Sequence, residues 1–156
     1  AAWMLDDAMH SNGDSGRTED VKIWGMWNIL GEEVFGDASQ EELRPWYYTW
    51  SLMCRYFPAG SDILACKVPQ HEGLRVAAAR KNGTYSVAAV NFSQEPCTLE
   101  IALPGDFAGG VLYRYTESGR TCDGNGFPVP CERGIAGKSF RTTAPAESFV
   151  LLTNIE

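Results

Sequence analysis

From Ser61 to the last residue the chain is cut into short apolar runs by turn residues, and this punctuation limits the possible folds more than any other feature. The runs DILACKV (62–68), LRVAAAR (74–80), TYSVAAVNF (84–92), CTLEIAL (97–103), GVLYRYT (110–116) and ESFVLLTN (147–154) read as strands, with Gly, Pro and Asn between them. Asn82-Gly83 joins the second to the third and is the strongest short hairpin signal. Strands at this spacing with polar turns predict an antiparallel β-sandwich over 61–156. Segment 117–138, rich in Gly and interrupted by Pro, reads as a long loop with one short strand.

Before Pro58 the pattern is different. Leu43, Trp46, Tyr47, Trp50, Met53, Cys54 and Phe57 recur at steps of three and four, which predicts a helix over 43–57 with that stripe as its core face. Pro45 suits its first turn, and Pro58 with Gly60 stops it. Thr18, Glu19 and Asp20 mark a second helix start leading into VKIWGMWNIL, a reading that Gly25 weakens. The run AAWML ends in Asp6-Asp7 like a buried parallel strand, yet it has no partner strand nearby. All five Trp precede Pro58, so this end is built to contact something large. The expectation is a chain that forms the end of something longer. Residues 61–156 would be the separable folding unit, and 1–57 would depend on a partner surface.

Thirteen Lys and Arg against twenty Asp and Glu give a net charge of −7 with no basic patch, which argues against nucleic acid as a partner. No apolar run approaches the ~20 residues that span a bilayer, so no membrane partner is expected either. The first ten residues also lack the pattern of a signal peptide. Five Cys without a CxxC pair, and His10 and His71 one in each part, make no metal-ligand spacing; no metal or cofactor is predicted. Asp123-Gly124-Asn125-Gly126 hints at a calcium loop, but Gly134 stands where the bidentate Glu would be, so a tight turn is the better reading. Cys122 and Cys131 bracket this loop, either bridged or as reduced thiols. Asn82 and Asn91 each begin a glycosylation sequon.

Candidate chemistry is sparse. Asp6 and Asp7 are adjacent, so on a strand they point to opposite faces and cannot work as an acid/base pair. Glu32-Glu33 and Glu41-Glu42 look like solvated charges, and no GxSxG elbow accompanies any Ser.

The order AWMLDD, an aromatic loop with KIWGMWNILG, the helix RPWYYTWSLMCRYFP, the turn AGSDIL and a sandwich ending AESFVLLTN resembles the C-terminal part of clan A glycoside hydrolases. The fold class this implies is mainly β, an antiparallel β-sandwich preceded by a strand and helix from the end of a (β/α)8 barrel. Residues 1–58 would hold strand eight (1–5), its loop and helix eight, and 59–156 the C-terminal sandwich. The family's two catalytic carboxylates would both precede Ala1, so the resemblance implies no catalytic residue in this chain and no activity from it alone. It implies a carbohydrate substrate, an N-terminal barrel portion as partner, in the same enzyme or as a second chain, and an extracellular or periplasmic location.

At the end of strand eight, where barrel active sites open, Trp3 matches a sugar floor. Asp6, Asp7 and His10 could supply hydroxyl partners for the substrate. The alternative for Trp3 is packing inside a barrel. Trp24 and Trp27 offer a secondary sugar platform or, at three-residue spacing, ordinary packing. The competing functional reading is a stand-alone carbohydrate-binding sandwich without catalysis. Its platform would be Tyr113 and Tyr115, which share a strand face and serve equally well as sheet packing.

Overall fold

A computed structural model describes residues 45–69 and 71–156. They form one helix, α1 (Pro45–Tyr56), and eight strands: β1 (Asp62–Leu64), β2 (Leu74–Lys81), β3 (Thr84–Asn91), β4 (Cys97–Ala102), β5 (Gly110–Tyr115), β6 (Glu132–Ile135), β7 (Ser139–Ala144) and β8 (Ser148–Thr153). The strands make a six-stranded sheet in the order β1-β2-β3-β8-β5-β6 and a two-stranded sheet β4-β7, with every pairing antiparallel. The fold is mainly β, and the two sheets pack face to face as a sandwich.

Local chemistry sets most of these elements. The helix closes with Phe57 N–H donating to the Met53 carbonyl at 2.9 Å, after which Gly60 takes a φ of 79° and Ser61 turns back onto Pro58 through its N–H (3.1 Å) and hydroxyl (2.7 Å). Asn82 and Gly83, at φ 51° and 80°, form the predicted β2–β3 turn, whose left-handed pair matches the twist of the flanking strands. Strand β1 keeps only three residues of the run expected to reach Val68. Its ladder ends at the Leu64–Ala78 pair, and 65–69 leave the sheet toward Pro69, which has no N–H to offer.

The middle strands of the six-stranded sheet are buried on both faces. One carries Ala77, Ala88, Val90, Tyr113, Phe149 and Leu151, packed under Leu52, Met53 and Tyr56 of α1. The other carries Ala89, Leu112, Val150 and Leu152, packed over Leu99 of β4, Ala144 of β7 and Phe107. All six residues of β8 are buried, which explains why FVLL reads as an unbroken apolar run rather than an alternation. Covered side chains of this size each contribute about 2 kcal/mol.

The helix stripe expected as core is not the face that meets the sheet. Tyr48, Thr49, Leu52, Met53 and Tyr56 are buried, whereas Cys54 is exposed and Tyr47, Trp50 and Phe57 are half-buried. Only Met53 belongs to both sets, and the two faces lie roughly a third of a turn apart at 100° per residue. The helix therefore has two apolar faces, and the sheet selects the one carrying Tyr48, Leu52 and Tyr56. Ser139–Ala144 forms β7, a strand that the sequence pattern does not mark. Its inward positions are Phe140, Thr142 and Ala144; only Phe140 is a large apolar residue, so the alternation is hidden, and buried Thr142 is satisfied by accepting from Arg114 Nη2 at 3.0 Å.

Candidate functional site

The residues chosen from sequence as sugar contacts, Trp3, Asp6, Asp7 and His10, lie outside the described residues, as do Trp24 and Trp27. Among the described residues every Asp and Glu is exposed. A general acid needs burial or a like charge to hold its proton at neutral pH, and none of these carboxylates has the burial. No group of three or more His, Cys, Asp or Glu that could hold a metal ion occurs among the described residues. No described helix is long and apolar enough to cross a membrane.

Three features remain. The first is the aromatic seam between α1 and β5. Tyr48 stacks on Tyr115, with ring centroids 5.7 Å apart and planes 16° apart, and Tyr56 meets Tyr113 at 5.3 Å with their hydroxyls hydrogen-bonded. Burial, reinforced by the hydrogen bond to Tyr56, pushes the Tyr113 phenol well above the ordinary phenol range. Burial likewise raises Tyr48 and Tyr115. Of the two roles open to Tyr113 and Tyr115, the structure gives them packing under the helix.

The second feature is the segment 117–131. Cys122 bridges Pro128, Thr121 accepts from Val129 N–H at 3.0 Å, and the Asp123 carboxylate accepts from Asn125 N–H at 2.8 Å and Phe127 N–H at 3.0 Å. The expected tight turn is thus an Asx turn at the tip of a small hairpin. It raises Phe127, 54% exposed, beside Tyr47 in the first turn of α1, with centroids 6.3 Å apart. Arg120 lies over the Tyr48 ring at 5.1 Å. Cys122 and Cys131 stand as separate thiols, and Cys131 Sγ donates to the Leu112 carbonyl at 3.3 Å.

The third is a groove of about 750 Å³ where the two-stranded sheet is too narrow to cover β1–β3. Val76, Val87, Leu99 and Ile101 line it, with Cys66 and His71 at its edge. Burial raises the Cys66 thiol. Tyr85, Lys67, Thr98 and Glu100 line the groove as well, so its walls are mostly but not only aliphatic.

The two sequons part company in the structure. Asn91 is fully buried, and its amide donates to the carbonyls of Glu95, Ala144 and Pro145 at 2.7, 3.1 and 2.9 Å. Asn82 is exposed at the hairpin tip.

Solved structures share this architecture. An endoxylanase of glycoside hydrolase family 30 from Clostridium papyrosolvens C71 matches with a TM-score of 0.59 and 14% sequence identity, over 74% of this chain and 28% of its own. A family 30 subfamily 8 xylanase from Clostridium acetobutylicum gives 0.59 at 13% identity, over 75% and 29%. The catalytic domain of family 30 xylanase C from Talaromyces cellulolyticus gives 0.59 at 15%, over 75% and 25%. No family model and no curated protein matches the chain. In fold the chain is like the C-terminal portion of clan A glycoside hydrolases of family 30. It spans between a quarter and a third of the length of the enzymes it matches.

Proposed function

We propose that the chain is the C-terminal portion of a glycoside hydrolase acting on a poly- or oligosaccharide. On this reading 59–156 is an accessory sandwich and 1–58 the end of the barrel, with Trp3 as floor for a sugar ring and Asp6, Asp7 and His10 as hydroxyl partners. The partners are a carbohydrate and the N-terminal barrel portion that carries the acid/base and nucleophile. The observation that carries the proposal is the shared architecture of helix and sandwich with three enzymes named as xylanases. The helix supports it from within the molecule, since it covers the sheet with one apolar face and keeps Tyr47 and Trp50 of the other only half-buried.

The test is hydrolysis by the longest native polypeptide containing this sequence, first on xylan and then on other plant and microbial polysaccharides. That polypeptide is expected to release reducing sugar, and the 156-residue chain alone is not. Trp3→Ala in the longer polypeptide should lower kcat/KM by about one to three orders of magnitude with little change in melting temperature. A native polypeptide no longer than this chain, or a longer one without activity on any glycan, would remove the reading.

A further inference from the structure

We propose that Phe127, with Tyr47 at its side, is a second sugar-binding site, a platform for the ring face of a pyranose unit in a polysaccharide chain, outside any catalytic subsite. The proposal deepens the reading above and rests on it. Phe127 is the most exposed large apolar side chain among the described residues, ahead of Phe92 at 46% and Val68 at 37%. Its order does not come from burial. Phe127 N–H is held by the Asp123 carboxylate at 3.0 Å, its carbonyl accepts from Asp123 N–H at 2.9 Å, and Gly126 N–H donates to the Asp123 carbonyl at 3.0 Å. A ring presented to solvent on a backbone fixed in this way is organised before a ligand arrives, which cuts the entropy lost on binding.

The surroundings suit a carbohydrate. Tyr47 packs against Phe127 with planes 49° apart, Asp123 and Asn125 of the same hairpin are exposed, and so is Arg120, whose guanidinium lies over the neighbouring Tyr48 ring. An apolar ring face with polar groups at its margin is the arrangement that meets the C–H face and the rim of a pyranose. Phe92 makes the contrast, because the Arg75 guanidinium already lies over its ring at 5.2 Å. Placement adds direction. Helices of a (β/α)8 barrel begin at the face where the active site opens. If α1 is helix eight, Tyr47 in its first turn sets Phe127 at the rim of that face, in line to hold a polymer that extends beyond the cleft.

Affinity electrophoresis of the 156-residue chain in gels containing soluble arabinoxylan or mixed-linkage β-glucan tests the platform directly. Retardation by at least one polymer is expected. It should weaken about fivefold or more in Phe127→Ala, return in Phe127→Tyr, and persist in Phe92→Ala. No retardation by either polymer, or equal retardation of Phe127→Ala, overturns the proposal. In the longer polypeptide, Phe127→Ala should lower kcat/KM on polymer about three- to tenfold and leave an aryl glycoside unchanged; equal loss on both substrates, or none on either, also overturns it. Failure of the unmodified longer polypeptide on every glycan removes the hydrolase reading instead, and the gel result then decides the platform by itself.

Discussion

Phe149 and Leu151 point from β8 toward α1, while Val150 and Leu152, one residue along, point toward β4 and β7. The same strands thus build two cores of different character. The helix side is closed by tyrosines whose rings stack and whose hydroxyls pair across the seam. The far side is closed mainly by aliphatic side chains, with Phe107 among them, and because two strands cannot cover six it keeps a groove of about 750 Å³. Directional aromatic and hydroxyl contacts fix how a helix lies on a sheet, whereas aliphatic contacts fill volume and tolerate a gap.

Removing residues 45–57 should have the largest effect on this comparison. The sequence pattern pointed to 61–156 as a unit that folds alone, but the helix and the sheet share one core, and the truncation would bare Tyr113, Phe149 and Leu151. We expect it to lose cooperative unfolding or to associate in sedimentation; a monomer that melts like the full chain would break the comparison. Phe149→Ala comes next, at about 3–5 kcal/mol in urea unfolding, because the ring is 1% exposed and its removal leaves a cavity in the shared core. A loss below about 1 kcal/mol would mean that the helix side is loosely packed.

Gly110→Ala probes the far side. A Cβ there would collide with the Phe107 ring and stand 3.0 Å from the Ile135 carbonyl, so about 1–3 kcal/mol should be lost. An unchanged midpoint would show that this side yields easily.

Tyr113→Phe should cost least, about 1 kcal/mol, by leaving the Tyr56 hydroxyl unpaired; Tyr56→Phe together with Tyr113→Phe should recover part of it. The same variant carries a pH signature. The folded-state pKa of Tyr113 is raised, so its contribution is complete below the unfolded phenol value near 10 and is lost as pH climbs above it. The unmodified protein should therefore lose stability above about pH 10 more steeply than Tyr113→Phe. Parallel curves would separate Tyr113 from the seam.

The residues themselves show which features could be read in advance. Asn82-Gly83 fixed a hairpin, Pro58 and Gly60 ended a helix, and the alternating or apolar runs located six of the eight strands, because these signals act within a few residues. The loop with one short strand over 117–138 corresponds to the Asx hairpin followed by β6. Asp123, Asn125 and Gly126 spell the turn that raises Phe127, but its exposure is a signal that no local pattern encodes.

What the sequence determined alone, among the described residues, was the helix before Pro58, most of the short strands, their turns, and the class of fold these permit. Only the tertiary structure decided which of two apolar helix faces is buried, that Ser139–Ala144 is a strand, and that β8 lies between β3 and β5. Each of these depends on partners far along the chain. Thr142 becomes an inward residue only once Arg114 is beside it, and Tyr48 becomes core only when Tyr115 offers a ring to stack on. Periodicity reports that a face is apolar, and the geometry of its partner decides whether that face is covered.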